Sequence, residues 1–156
     1  MYKVGIIGPE SSGKTTLAKY LSKRYHGHYV AEYAREFVEK KGTTDVTWEE
    51  LCSIARHQIE EMEQIAESEQ PLVFFDTELI LTKVWFEYAF GKVPEWLEEA
   101  IRRYPMDVYL LTMPDLPWIA DSSRSNGSDA IRQELFERYE TEIQALDIPY
   151  YIIRHN

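Results

Sequence analysis

Gly8, Gly13, Lys14 and Thr15 stand in the order Gly, four residues, Gly-Lys-Thr, with Pro9-Glu10-Ser11-Ser12 between the glycines. These residue types at this spacing suit the holding of a polyphosphate. The amides of a loop that converges on a helix N-terminus point at an anion, and the helix dipole favours negative charge there. Side chains at the two ends would obstruct that approach, hence glycine. Lys14 adds a mobile cation near the β and γ phosphates, and the Thr15 hydroxyl suits the Mg²⁺ that accompanies ATP. Glu10, Ser11, Ser12 and Thr16 complete the stretch expected against the nucleotide. At average composition the four specified positions would coincide by chance in a chain of this length on the order of 0.5% of the time. The plainer reading is a Gly-rich turn before a helix.

Phosphoryl transfer to a hydroxyl also needs cations on the transferring group and a carboxylate to orient or deprotonate the acceptor. Asp76 ends the apolar run Pro71 to Phe75 and is expected to serve the metal or its water, with helix capping as the alternative. Glu32 follows another short strand and leads Tyr33-Ala34-Arg35-Glu36-Phe37. Its carboxylate is the candidate for orienting the acceptor, while Arg35 could equally pair with Glu36 or Glu39 on the surface. Arg124 and Arg132, with Asp121 in the same lid stretch as Arg124, could bring positive charge over the phosphates, or these could be solvated loop and helix charges. Trp85 and Tyr88, three residues apart on one helix face, could enclose a flat ring with Tyr33 nearby; packing of Trp85 into the core is the alternative. His57 reads as a boundary histidine rather than a base.

The elements that must position these residues alternate between strand and helix. Val4 to Ile7 is a buried strand feeding the phosphate loop, and a helix follows from about Thr16 to Arg24. A brief strand is expected over His28 to Ala31, and a helix from Tyr33 to Lys41, closed by Gly42. Thr47-Trp48-Glu49-Glu50 has the form of a capping box and opens the longest helix, to about Ser68. Its buried face is expected to be Leu51, Ile54, Ala55, Ile59, Met62, Ile65 and Ala66, with Glu60, Glu61, Glu63 and Glu67 as a solvated edge. The run ending at Asp76 reads as a central parallel strand buried on both faces. Helices over Glu78 to Phe90 and Pro94 to Tyr104, a strand over Asp107 to Thr112, a helix over Ser128 to Leu146 and a last strand over Tyr150 to Ile153 complete an α/β doubly wound pattern. The irregular stretch 113–127 is the candidate lid.

Composition narrows the function classes. The 156 residues carry 27 Asp plus Glu against 17 Lys plus Arg, a net charge of −10, which disfavours a nucleic-acid footprint. One domain over 1–156 is expected, long enough to bury a core without staples. The single cysteine, Cys52, excludes an internal disulfide framework and a Cys-rich zinc site, so a reducing cytoplasm is the simplest compartment. No apolar run approaches a membrane span or a signal peptide, and Met1-Tyr2-Lys3 reads as a complete start. A GTPase would have a Gly three residues after the strand-ending Asp, but Leu79 stands there, and no base-reading Asn-Lys-x-Asp follows a later strand. A motor ATPase would have a further helical domain. A small-molecule kinase fits the size best.

Beyond the phosphate loop, Glu32-Tyr33-Ala34-Arg35-Glu36-Phe37, Phe75-Asp76-Thr77-Glu78, Tyr104-Pro105-Met106-Asp107 and the stretch from Trp118 through Asp121 to Arg124-Ser125 together resemble one family over nearly the whole chain. It is the ribosylnicotinamide kinase domain of the NadR type, grouped with AAA-type ATPases, whose matching motifs read Glu-Tyr-Gly-Arg-Glu-Phe, Asp-Thr-Asp after an apolar residue, Tyr-Pro-Phe-Asp and Trp-x-x-Asp-Gly-x-Arg-Ser. The resemblance implies a P-loop NTPase fold of the nucleoside kinase kind, three layers with a five-stranded parallel sheet. It also implies transfer of the ATP γ-phosphoryl to the 5′-hydroxyl of nicotinamide riboside, giving nicotinamide mononucleotide. The chain departs from the family at Ala31, where a base-stacking Trp is usual, at Ser122 in place of the lid Gly, and at Glu78 in place of the second Asp. The family tends to continue with a helix after the last strand, so a truncated C-terminus is part of the expectation. The rival from another class is an ATP-binding sensor that changes shape without a small-molecule acceptor.

Overall fold

The computed structural model describes residues 1–9, 12–43, 45–114 and 129–154. Five parallel strands form one sheet in the order β2-β3-β1-β4-β5. β1 (Tyr2–Ile7) and β3 (Leu72–Asp76) lie side by side in the register Tyr2 with Leu72 through Ile6 with Asp76. β4 (Val108–Thr112) flanks β1 on its other side, β2 (His28–Val30) lies outside β3, and β5 (Tyr150–Ile153) closes the far edge. The strand β1 therefore begins two residues before its apolar run. Ladder hydrogen bonds are made by the backbone, so Tyr2 and Lys3 pair although their side chains reach solvent.

Strand alternation splits the core in two. Val4, Ile6, Phe74 and Val108 face one side, where Ala18, Leu17 and Leu21 of α1 (Lys14–Arg24) cover them. Ile7, Val73, Phe75, Tyr109 and Leu111 face the other. There they meet α3 (Trp48–Glu67), α4 (Leu79–Phe90), α5 (Glu95–Arg103) and α6 (Asp129–Ala145), with α2 (Tyr33–Lys41) packed on α3. Burying both faces of β3 explains its unbroken apolar run. Lys83 of α4 ties this layer together, its Nζ lying 2.6 Å from both Glu98 of α5 and Glu142 of α6.

The capping box forms: Thr47 accepts from the Glu50 amide at 3.1 Å, and Glu50 accepts from the Thr47 amide at 2.9 Å. The face of α3 differs from its periodic pattern at both ends. Cys52 and Gln58 are buried, Ala66 is exposed, and Glu61 is half-buried rather than on a solvated edge. The cause is what packs above. Gln58 meets α4, where its Oε1 accepts from the Thr82 hydroxyl at 2.6 Å, a hydrogen bond that makes a buried amide tolerable. Trp48 is a core aromatic, edge-on to Phe86 and Phe90. Among the described residues no helix is long and apolar enough to cross a membrane.

Candidate active site

The carboxyl ends of β1, β3 and β2 converge on one edge of the sheet. β1 runs into the phosphate loop and α1 starts at Lys14, two residues earlier than expected, with Gly13 at φ 83° as the residue that turns the chain into the helix. A residue with a Cβ is strained in that conformation. At Gly8 a Cβ would meet the Thr112 carbonyl oxygen at 2.7 Å and would run into the Thr112 hydroxyl. The loop thus sits directly against the end of β4. Ser12 fastens it there: its hydroxyl is buried, donates to the Pro9 carbonyl at 2.5 Å and lies 2.6 Å from the Thr112 hydroxyl. Lys14 is 8% exposed in the first turn of α1, and Thr16 stands two residues further along the same helix. Glu10 and Ser11 lie outside the described residues, as do Asp121, Arg124 and the expected lid beyond Pro114.

Asp76, 1% exposed, sits beside the start of α1. Its Oδ2 accepts from the Thr15 hydroxyl at 2.7 Å and from the Tyr29 hydroxyl at 3.0 Å. Burial, then the charge of Asp76, raises the Tyr29 phenol well above its ordinary range, so Tyr29 stays a donor. Among the described residues Asp76 Oδ1 is buried without a hydrogen-bond partner. Two hard oxygens held together, one carboxylate oxygen orphaned, are a donor set that fits Mg²⁺.

Helix capping falls to Glu78, not Asp76. Glu78 is the N-cap of α4, and its Oε1 accepts from the Ile80 amide and from the Tyr109 hydroxyl, each at 3.1 Å. Burial pushes the Glu78 carboxyl up to about 7, against the opposing effect of those hydrogen bonds. Between the two carboxylates Thr77 adopts φ 64°, rare for a β-branched residue, and its amide donates to the Ile6 carbonyl at 2.8 Å. A conformation costing about 1 to 3 kcal/mol at the strand end is the kind of strain that clusters at functional sites.

Beside this turn lies a small cleft of about 10 Å³, lined by Val30, Ala31, Tyr33, Gln58, Glu61, Met62, Phe75, Thr77 and Glu78. The strand β2 ends at Val30, so Glu32 stands two residues beyond it as the N-cap of α2, between two lining residues. Tyr33 is stacked on His57, centroids 3.6 Å apart, which makes His57 a boundary residue that props an aromatic wall. Arg35 lies on α2 with its Nε 3.1 Å from Glu39. Trp85 packs against the main core and Tyr88, 39% exposed, lies under the Arg138 guanidinium at 5.7 Å; neither lines the cleft. Arg132 is buried in α6, with its Nη1 3.5 Å from Asp129. Residues that sequence reasoning passed over are Tyr29, Glu61 and Thr112. Tyr29 and Thr112 are strand residues whose only sequence signal is a polar group at or near a carboxyl end.

The comparisons with known proteins agree with this geometry. The trifunctional NAD biosynthesis/regulator protein NadR of Escherichia coli (strain K12) is 28% identical over 134 residues, 84% of this chain and 33% of that protein. Solved structures of NadR protein, one in complex with NAD and AMP-PNP and one in complex with NR, superpose with TM-scores of 0.76 and 0.74 at 23% identity, over 97% of this chain and 44% of theirs. Thymidylate kinase from Ehrlichia chaffeensis superposes with a TM-score of 0.68 at 15% identity, over 99% of this chain and 87% of its own. The chain spans about a third of the length of the curated relative it matches. The fold is that of the P-loop kinases, and since the AAA domain family model matches residues 3–156, the chain belongs to the AAA domain family.

Proposed function

We propose that the chain is an ATP-dependent kinase that transfers the γ-phosphoryl to the 5′-hydroxyl of nicotinamide riboside. The observation that carries this reading is the adjacency of two features at one sheet edge. One is a phosphate loop whose Thr15 hydroxyl meets Asp76; the other is a cleft, walled by Tyr33 and Phe75, that begins one residue later, at Thr77. A sensor needs the first feature alone. The NadR relatives bind an ATP analogue and NR on the same fold, which supports the nucleotide and the acceptor together.

In this reading the loop amides and Lys14 hold the β and γ phosphates, with Ser12 keeping the loop closed against Thr112. Thr15 and Asp76 would hold Mg²⁺, which when bound neutralises charge on the phosphates. Asp76 Oδ2 is already committed to Thr15 and Tyr29, which leaves Glu32, at the rim of the cleft, to orient the acceptor hydroxyl. The hydroxyl oxygen forms a bond to the γ-phosphorus, the bond to the β-phosphate oxygen breaks, ADP leaves, and the hydroxyl proton passes to the Glu32 carboxylate. Arg124, outside the described residues, is the candidate cation for the transferring group on sequence grounds.

The test is an acceptor screen that reads ADP release. Release that depends on nicotinamide riboside, and that falls by about 10² or more in Lys14→Ala, is the expected result. Release that ignores every nucleoside offered would overturn the kinase reading.

A further inference from the structure

Tyr29 belongs neither to the phosphate loop nor to the cleft lining, yet from the three-residue strand β2 its phenol reaches the Asp76 carboxylate. The register makes this contact possible. Tyr29 pairs with Phe74, so it stands two residues short of Asp76 along the sheet. Two residues of strand are about 7 Å, a span that suits a phenol and exceeds a serine or threonine side chain. Residues two apart on a strand face the same side, and Phe74 faces the side that α1 covers. Groups from β2 and α1 thus meet on one oxygen of β3: Asp76 Oδ2 accepts from the Thr15 hydroxyl at 2.7 Å and from the Tyr29 hydroxyl at 3.0 Å. An ionised carboxylate only accepts, so both hydroxyls donate. Packing alone does not call for the phenolic oxygen. The Tyr29 ring rests against the cluster of Val4, Ile6, Ala18, Phe74 and Val108, where a phenylalanine would serve as well.

We propose that Tyr29 is a positioning residue for the metal site, anchoring Asp76 Oδ2 from β2 so that the carboxylate keeps one orientation and Oδ1 is left to serve the cation or its water. The proposal deepens the kinase reading and rests on it for the pairing of Mg²⁺ with ATP. Among the described residues Asp76 Oδ1 is buried without a hydrogen-bond partner, as an atom kept for a ligand would be. Thr15 cannot anchor the carboxylate alone, because in this reading its hydroxyl oxygen is itself a ligand whose position follows the cation. Tyr29 has no such second duty. Two effects of losing the phenol oppose each other: the carboxylate becomes a stronger donor to a cation, and it becomes free to rotate. Mg²⁺ demands near-ideal octahedral geometry, and partners that hydrogen-bond a metal-ligating group are worth about 10- to 100-fold in metal affinity, so rotation is the larger effect. Ca²⁺ accepts looser geometry and should depend on the anchor less.

The test is calorimetric titration of the full chain with AMP-PNP in EDTA, in excess Mg²⁺ and in excess Ca²⁺, for the wild type and for Tyr29→Phe. The ratio of metal-bound to metal-free affinity measures the coupling between cation and nucleotide. In Tyr29→Phe the Mg²⁺-dependent tightening should shrink about tenfold, and the Ca²⁺-dependent tightening by less than about threefold. Metal-free affinity should stay within about twofold of the wild type, which reports an intact phosphate loop. An unchanged or larger Mg²⁺ coupling in the variant would overturn the proposal. So would a metal-free affinity that falls as far as the Mg²⁺ affinity, since Tyr29 would then be a packing residue. A wild type that AMP-PNP binds no more tightly with Mg²⁺ than without would overturn the metal site and the proposal together. ADP release is read in the same samples with ATP and nicotinamide riboside. Mg²⁺ coupling that is lost in Tyr29→Phe, with no acceptor-dependent release from the wild type, would remove the kinase reading and leave the role of Tyr29 standing.

Discussion

Replacing Glu78 by Gln should stabilise the protein, and by an amount that depends on pH. Glu78 is 3% exposed and its carboxyl sits at about 7 against an ordinary 4.5. The sign follows from that elevation. Between those two values the folded state holds a proton that the unfolded chain has released, so the stability from this group is full below about 4.5 and is lost as the pH rises through 7. With about 1.4 kcal/mol per unit, the loss amounts to roughly 3 kcal/mol at pH 8 and just under about 1 kcal/mol at pH 5. Both hydrogen bonds, from the Ile80 amide and the Tyr109 hydroxyl, converge on Oε1, so a glutamine carbonyl can accept them and keep the cap. Urea unfolding of both proteins at pH 5 and pH 8 in metal-free buffer measures the difference. Glu78→Gln should gain about 2 to 3 kcal/mol more at pH 8 than at pH 5. An equal effect at the two pH values would refute the claim that Glu78 is buried at the expense of its charge.

Gly8→Ala should displace the phosphate loop, because its Cβ meets the Thr112 carbonyl; the expected cost is about 1 to 3 kcal/mol, with ATP-analogue affinity falling in calorimetry while the far-UV spectrum is kept. Asp76→Asn should raise the Mg²⁺ concentration needed for half-maximal turnover, and Glu32→Gln should lower kcat with little change in that requirement. Identical Mg²⁺ profiles for these two variants would contradict the division of roles.

Much of the site could be read along the chain because its chemistry is local. The phosphate loop is one contiguous segment, and its function depends on amides and a helix N-terminus that the same eight residues supply. The strand-helix alternation is likewise carried by short-range periodicity, and it placed Asp76 at a strand end and Glu32 beside a helix start. Element boundaries were legible to within a residue or two where caps mark them, as at Thr47 and Gly42. The NadR-type resemblance added the motifs on β3 and α2, whose spacing alone would have left several kinase classes open.

What only the tertiary structure decided is which side chains share a dielectric. Thr15, Tyr29 and Asp76 are separated by up to 61 positions and meet because β2, β3 and β1 are adjacent in the sheet. Glu61 and Glu63 are alike in sequence, two acidic positions on one helix, yet α2 and the β3–α4 turn cover the first and leave the second exposed. A helical repeat gives the direction in which a side chain projects, but the width of the covered stripe depends on the neighbours that pack over it. The same holds for Glu78, a surface-type residue that became a buried cap because Tyr109, 31 positions away, reaches across to donate to it. Local sequence therefore determined the phosphate loop, while long-range packing determined which carboxylates were withdrawn from water.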